Sequence, residues 1–442
     1  MVRYNQAYKG TTHIGCIIKN GKIVKQIYKG SELVYKLGFD TFTINAGTSL
    51  QSWKVPMGVE KIHIDCVASK GADGSKSNGG NGGRVQCDMN VTGGETLYIT
   101  VGAIHADSSS IREHDRRINP TNKMLPAVYS AFGGGYRNSI KPDLVFYGGR
   151  MFYNQPWSDN NPTPLKGSMH FAEPGHRVAA PSNQIDKSYY TRGTSNATAL
   201  TTRAAINIID TLKSILQENY DSPQYNKYVS SLIKAMLVHG CSWEDIGNNI
   251  SRIFQDGYTN ADIKKIISKW IGYGIPNLSN VLQCTDQKVT VLGFGEIQMD
   301  KVHLYRLPLP PSLSSRPEKR KLTITLAWLS PIAPTSQRYR VASLYFEAHN
   351  ALLGVNREDA DWRKVRQGTL QHEVFIGENA IPFENNSSLE IKVICKKDAR
   401  DFDENIIYAL VVTLEVAEEI DIPIYQEIKD QLVAPIIVEQ PV

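Results

Sequence analysis

Polar and apolar residues alternate through the first hundred positions of the chain. In CIIKNGKIVKQIYKG the alternation continues on both sides of Asn20-Gly21, a dipeptide typical of a hairpin turn. Further along, Ile62, Ile64 and Cys66 alternate with polar neighbours, which predicts a half-buried strand. A glycine-rich stretch, GADGSKSNGGNGG, follows. Because no helical period occurs here, residues 1–102 are predicted to form an all-β module.

A helical period begins in the middle of the chain. Apolar residues recur at steps of three and four and predict a helix from about residue 196 to 216; they are Leu200, Ala204, Ile208, Leu212 and Ile215. Two more helices are predicted in YNKYVSSLIKAMLVHG and NADIKKIISKWIG, and a short strand in SIKPDLVFYGGR. Strands followed by helices favour an α/β layer architecture for residues 103–283.

The last part of the chain, residues 284–442, returns to strand patterns. The runs KVTVLGFGEIQ, KLTITLAWL, SLEIKVICKK and NIIYALVVTLEVAEE are rich in Val, Ile, Thr and Leu. Their spacing, with Pro-rich turns between them, predicts a β-sandwich. We therefore predict a multi-domain chain with an N-terminal all-β module, a central α/β domain and a C-terminal β-sandwich. Its 442 residues fit three domains of about 150 residues each.

Composition argues against several classes of function. The net charge of +5 arises from 49 basic and 44 acidic residues, with no basic run among aromatics, so no nucleic-acid partner is expected. No apolar stretch reaches the roughly 18 residues of a membrane span, and the start MVRYNQAYKG lacks a signal core. We therefore expect a cytoplasmic protein without membrane association. The six cysteines are scattered, which predicts free thiols and neither a metal site nor a cofactor.

The segment YTRGTSNATAL contains the strongest candidate for chemistry, Ser195, which follows Gly193 and Thr194. Its simplest interpretation is a helix N-cap, because serine and threonine oxygens accept hydrogen bonds from the first turn. A serine at a helix start also lies beside backbone N–H groups and the positive end of the helix dipole. Such groups can stabilise the oxyanion formed in acyl transfer. The local sequence leaves both interpretations open.

Several segments around Ser195 resemble those of subtilisin-like serine peptidases, in the family's order. GTSNATALTTRAA resembles the nucleophile motif. VYSAFGGG, SIKPDLVFYGGR and GHRVAAPS resemble segments before it, and IKAMLVHG and GYGIPN resemble segments beyond it. The resemblance, over residues 103–442, implies that Ser195 is the nucleophile of an endopeptidase acting on peptides or proteins.

The same resemblance implies an architecture and a partner. The central domain would be an incomplete, doubly wound parallel sheet whose first strands are missing from this chain, and the β-rich end would be an accessory sandwich. Gly193 and Thr194 would form the oxyanion and N-cap region beside the nucleophile. Relatives of this part are associated with AAA-type ATPases, in some cases in anti-phage systems, so such an ATPase is an implied partner.

The base and the carboxylate that a catalytic serine needs are not found in the family's motifs before Ser195. Asp40-Thr41-Phe42 lacks the glycine of the aspartate motif, and His63 lies in a strand pattern instead of at a helix start. Asn81, in the GGNGG loop, is a weak candidate for the oxyanion asparagine. The remaining candidates match no motif and are expected to be surface or hydrogen-bonded residues; they are His105, His114, His170, His176, Asp107 and Asp115.

The N-terminal module resembles glycine-rich modules of phage tail and fibre proteins in MGVEKIHIDCVASKG, the GGNGG loop and VTGGETLYITVGA. This resemblance implies a place in a virion and self-association into a homo-oligomer. The string Ile99-Thr100-Val101-Gly102-Ala103 fits both resemblances, so the chain looks like such a module joined to the C-terminal half of a peptidase. Because the first half of the sheet is missing, we expect exposed hydrophobic sheet edges.

Two functions therefore compete. The first is a serine endopeptidase that works through Ser195 and is inactive or very weak alone, because two members of its triad are missing. In a variant of this hypothesis, another chain supplies the missing Asp and His. The second is a non-catalytic structural or binding protein of the phage tail type.

Overall fold

The chain folds into two compact units, Met1–Thr96 and Leu97–Val442. The computed structural model describes residues 99–432 apart from 110–116, 120, 122–123, 155–164, 168–172, 181–186, 217–222, 334–335 and 359–364, together with 438–441 and, before residue 99, eight strands. The described residues form a mixed α/β protein with several small sheets and one five-stranded antiparallel sheet. None of the described helices is both long enough and apolar enough to cross a membrane.

The described part of the first unit consists of four antiparallel hairpins. In the second of them, Lys19 lies opposite Lys22, so the hairpin predicted around Asn20-Gly21 is confirmed. The alternating segment predicted around Ile64 is also a strand. The hairpins are β1 Ala7–Lys9 with β2 Thr12–Ile14, β3 Ile17–Lys19 with β4 Lys22–Val24, β5 Gln26–Lys29 with β6 Glu32–Lys36, and β7 Lys61–Val67 with β8 Arg84–Asn90.

The second unit begins with a parallel strand pair. Strand β9 (Val101–Ile104) pairs in parallel with β11 (Leu144–Tyr147). The predicted domain boundary at residue 102 falls inside β9. This strand pairs with β11 and so belongs to the second unit. Short strands form three further small sheets. One contains β10 Arg117–Ile118, β12 Tyr153–Asn154 and β13 Lys166–Gly167. The second is the hairpin of β14 His176–Ala179 and β15 Ser188–Thr191, and the third pairs β16 Cys241–Ser242 with β17 Ile275–Pro276.

Helices cover both faces of the parallel pair, as parallel strands require. Leu144 packs in one apolar cluster with α1 and α3, whereas its neighbour Val145 packs in another with α4 and α5. The helix predicted from residue 196 to 216 is confirmed, although Ile215 of its predicted apolar face is 58% exposed. The helices are α1 Thr194–Leu216, α2 Pro223–Asn226, α3 Val229–His239, α4 Glu244–Phe254, α5 Asn260–Ile271 and α6 Ser279–Leu282.

The outer edge of β9 does not lie open where we expected an exposed sheet edge. The N–H of Ala127 donates to the Ala103 carbonyl at 2.8 Å, and the N–H of His105 donates to the Leu125 carbonyl at 2.7 Å. The Ala103 N–H donates to the Ser130 hydroxyl at 3.0 Å. The segment 125–130 thus satisfies the outward backbone groups of Ala103 and the N–H of His105, which a further strand would use.

The end of the chain forms two antiparallel sheets around one hydrophobic core, as a sandwich does. The outer face of the five-stranded sheet packs on α3, because Ala327 and Val411 share an apolar cluster with Leu232 and Met236. The central and C-terminal parts therefore belong to one compact unit. The sheets are β18 Lys288–Ile297, β25 Ile406–Val416, β20 Arg320–Trp328, β23 Leu370–Gly377 and β22 Asn356–Arg357 in that order, and β21 Ala342–Ala348, β24 Ser388–Lys397, β19 Lys301–Pro308 and β26 Val438–Pro441; α7 is Ile424–Gln431.

Candidate functional site

Ser195 lies in the first turn of α1 and is exposed. The helix begins at Thr194, so Gly193 and not Ser195 occupies the cap position. The Ser195 hydroxyl has no hydrogen-bond partner in the described part of the chain, which also argues against a capping role. The structure therefore presents an accessible and unengaged hydroxyl at a helix N-terminus.

Glycines fix the entry of the chain into α1. Gly193 has a φ of 154°, and its N–H donates to the Gly148 carbonyl at 2.9 Å. A Cβ atom on Gly148 would lie 2.6 Å from the Ala103 Cβ and 2.7 Å from the Tyr129 hydroxyl, so only glycine fits there. The Asn196 side-chain amide also donates to the Gly148 carbonyl at 3.3 Å. The turn before Ser195 is thus held directly against the residue that follows β11.

The strands and helix place Ser195 at the carboxyl end of the parallel pair. Ala197, which is fully buried, packs with Ala103 of β9 and with Ala127. The Tyr129 hydroxyl donates to the Gly149 carbonyl at 2.6 Å, and burial raises the pKa of this phenol, so it remains a donor. The carboxyl ends of parallel strands are where α/β proteins commonly bind ligands.

His105 follows β9 at the same end of the pair, but its ring is already engaged. The side chain is fully buried. Nδ1 accepts the Met151 N–H at 3.5 Å, which leaves Nε2 to donate to the Asn119 side-chain oxygen at 2.6 Å. Burial lowers the pKa of His105. With both ring nitrogens occupied, His105 has no nitrogen left to accept a proton from a serine.

Asp107 is likewise occupied by other partners. Its carboxylate accepts the Arg150 N–H at 2.7 Å and the Ser109 N–H at 2.9 Å, and it forms an ion pair with the Arg150 guanidinium at 3.2 Å. Burial raises the pKa of Asp107, but these hydrogen bonds and the charge of Arg150 lower it below its usual value. Asp107 therefore fixes the loop after β11 and orients no histidine that contacts Ser195.

The remaining histidines that the sequence offered as candidates lie on other elements or outside the described residues. His176, on β14, lies 3.1 Å from the Tyr147 carbonyl through Nε2. His63 is a strand residue of β7 opposite Asp88, with no helix start beside it. Some candidates lie outside the described residues; they are Asn81, His114, His170 and Asp115. Within the described residues, the structure brings neither a base nor an orienting carboxylate into hydrogen-bonding contact with Ser195.

Asp143, in the segment that resembles a peptidase signature, has a structural role. It is buried and accepts the Thr100 N–H at 2.8 Å and the Thr100 hydroxyl at 2.9 Å, while the Lys141 ammonium lies 2.6 Å away. Lys234 of α3, whose pKa burial lowers to about 8, donates to the Thr369 hydroxyl at 2.7 Å. The Asp143 contacts hold the starts of the two parallel strands together, and the Lys234 contact ties α3 to the sandwich. Sequence reasoning missed Thr100 and Lys234, because no motif marks a contact across such distances in the chain.

No metal site is visible in the described ranges, which contain no group of three His, Cys, Asp or Glu side chains that could hold an ion. Cys241, Cys284 and Cys395 are free thiols. Among the described residues, the chemistry available at Ser195 is therefore that of its own hydroxyl and of the backbone N–H groups at the start of α1.

Comparisons with known proteins add little to this description. No family model matches the chain. A curated relative, the uncharacterized protein y4bN of Sinorhizobium fredii (strain NBRC 101917 / NGR234), is 23% identical over 262 residues, which cover 57% of this chain and 53% of the relative. The chain thus spans about half the length of that relative, whose name states no activity. An acid-stable capsid structure of the Helicobacter pylori bacteriophage KHP30 is 12% identical and covers 35% of this chain and 98% of that one; its TM-score of 0.15 is too low to carry an argument.

Proposed function

We propose that this chain carries the nucleophile of a subtilisin-like serine endopeptidase site, Ser195, and that it does not hydrolyse peptides alone. The observation that carries the proposal is the exposed Ser195 hydroxyl in the first turn of α1, which has no hydrogen-bond partner among the residues that the structure describes. Gly193 and Gly148 hold this turn at the carboxyl end of a parallel strand pair. A structural helix-start serine would instead direct its oxygen to the N–H groups of its own first turn.

The absence of an engaged base explains why we expect no activity of the chain alone. A serine hydroxyl attacks a carbonyl only when a general base accepts its proton. His105 and Asp107, the described candidates at this end of the sheet, are bound to Asn119, Met151 and Arg150. The proposal therefore includes a second polypeptide that supplies the base and its carboxylate when the site works, and an AAA-type ATPase is one candidate for it.

A fluorophosphonate probe tests the proposal because it reacts covalently only with an activated serine. We expect the purified chain to show no labelling above the Ser195→Ala variant. The same chain, added to a lysate of the cells that produce it, should be labelled in a Ser195-dependent manner. Labelling of the purified chain would show that a base is present after all. The absence of Ser195-dependent labelling in the lysate would refute the proposed nucleophile.

A non-catalytic binding or structural role is the second candidate. It is favoured by one observation, that no described base contacts Ser195. Under this alternative Ser195→Ala leaves every function of the chain unchanged, and neither the purified protein nor the lysate shows Ser195-dependent labelling.

A further inference from the structure

Four cationic side chains lie on or beside the elements that flank Ser195. Arg177 on β14, Lys187 just before β15 and Arg203 on α1 are exposed, and Arg192 lies half-buried between β15 and the helix. Arg192 is anchored through a hydrogen bond from Nη1 to the Pro174 carbonyl at 2.8 Å. We call these four residues the basic face.

Three of these charges meet no carboxylate in the described residues. Arg177 donates to the neutral Ser188 hydroxyl at 2.7 Å, and the structure describes no ion pair for Lys187 or Arg203. The carboxylate of Glu173 lies near the Tyr190 hydroxyl, and the structure describes no ion pair between it and these three side chains. Arg177, Lys187 and Arg203 therefore carry positive charge that no ion pair neutralises in the described part of the chain.

The basic face and Ser195 fit within one interface. Arg203 is eight residues after Ser195 on the same helix, or about 12 Å along its axis. Arg177 lies opposite Tyr190 in the hairpin, and the five residues from Tyr190 to Ser195 span at most about 18 Å. A standard protein interface buries about 800 Å² on each partner, a patch about 30 Å across. One bound surface can thus cover Ser195 and the cations together.

The exposed side of α1 allows a partner to approach closely. Thr198 and Ala199 lie three and four residues after Ser195, on the same helix face, and both are exposed. The Thr198 hydroxyl is satisfied by the Thr194 carbonyl at 2.9 Å, so it needs no further hydrogen bond. A partner surface can cover such small side chains with little steric hindrance, and with little loss of hydration because their polar groups are already hydrogen-bonded.

We propose that the basic face docks an acidic polypeptide surface, the one that supplies the base to Ser195. This inference rests on the proposed function. The carboxylate that orients a catalytic histidine is ionised, so the supplying chain necessarily brings negative charge to this end of the sheet. Complementary charge of this kind speeds association and fixes orientation.

The test uses octaglutamate labelled with fluorescein, and its binding to the full chain is followed by fluorescence anisotropy at about 50 mM salt. We expect saturable binding that weakens about tenfold or more in the double variant Arg177→Glu and Arg203→Glu. Lys319→Glu is the control, because Lys319 is an exposed lysine of the sandwich outside the basic face. It should leave the affinity unchanged.

The outcomes that overturn the inference are distinct from those of the labelling experiment. Absence of saturable binding, or equal loss in Lys319→Glu, would show that the basic face is no docking surface. Tighter binding of a single-stranded DNA octamer than of octaglutamate would assign the face to nucleic acid instead. Ser195→Ala should bind octaglutamate as the parent chain does, so a failure of the nucleophile hypothesis leaves this result unaffected.

Discussion

A buried histidine network between α3 and the five-stranded sheet makes the second unit sensitive to acid. His239 Nδ1 lies 2.8 Å from the Thr325 hydroxyl, and its Nε2 lies 2.7 Å from the Thr413 hydroxyl. His372 Nδ1 shares the Thr325 hydroxyl at 2.7 Å, and the Tyr273 ring packs edge-on against it at 5.4 Å. Because the Thr325 hydroxyl has one proton, it donates to one of the two imidazoles and accepts a hydrogen bond from the other.

The lowered pKa of His372 gives the size of the stability loss in acid. Burial, and after it the charge of Lys321, lowers the pKa of His372 from 6.5 to about 3. Below pH 6.5 the imidazole of His372 is protonated in the unfolded chain, whereas in the folded chain it stays neutral down to about pH 3. Stability therefore falls as the pH falls through this window, by about 1.4 kcal/mol per pH unit. Between pH 6.5 and about pH 4 the loss from His372 is about 3 kcal/mol.

Replacement of His372 by glutamine tests this reasoning. Urea unfolding followed by circular dichroism at about pH 7 and pH 4 gives the change in unfolding free energy for each protein. We expect the parent chain to lose about 3 kcal/mol more than His372→Gln over this range. His349→Gln, at an exposed position, serves as the control and should follow the parent. If the parent and His372→Gln lose stability in parallel, the buried neutral histidine is not the cause.

Three further predictions concern α1 and the turn before it, each checked by urea unfolding. Ser195→Ala should change the free energy of unfolding by no more than about 0.5 kcal/mol. Loss of a capping serine costs about 1 kcal/mol, so a loss of that size would support the capping interpretation. Ile208→Ala, at a fully buried position, should cost about 2–5 kcal/mol, and Ile206→Ala, 42% exposed, about 0.5 kcal/mol or less. Gly148→Ala should cost about 1–3 kcal/mol through crowding, while Gly257→Ala, with nothing within 4 Å of its added Cβ, should be nearly neutral.

Local patterns predicted the secondary structure well where a period was clear. The steps of three and four in α1 identified Ala204, Ile208 and Leu212, all of which are buried. The same pattern was wrong for Ile215, which is 58% exposed. A period identifies one stripe of a helix, but it does not show where along that stripe the neighbouring elements end. The Asn20-Gly21 turn was predictable because two central residues and their flanks define such a hairpin.

Contacts between distant segments could not be predicted in the same way. The closure of the β9 edge depends on Leu125 and Ala127, whose surroundings, NKMLPAVYS, have neither helical nor strand periodicity. The burial of His239 and His372 together depends on α3 packing on the five-stranded sheet, a contact between residues more than 100 positions apart. Histidines are ordinarily read as candidates for chemistry, and only the packing shows that these two serve as buried hydrogen-bonding groups.

The closed edge of β9 restricts how a second polypeptide can reach Ser195. A strand added beside β9 would need the backbone groups of Ala103 and His105, and these already bond to the segment 125–130. A partner that completes the site by extending the parallel sheet would first have to displace this segment. The exposed side of α1 and the hairpin of β14 and β15 require no such rearrangement. Under the proposed function, a base supplied in trans therefore reaches Ser195 most directly across the basic face.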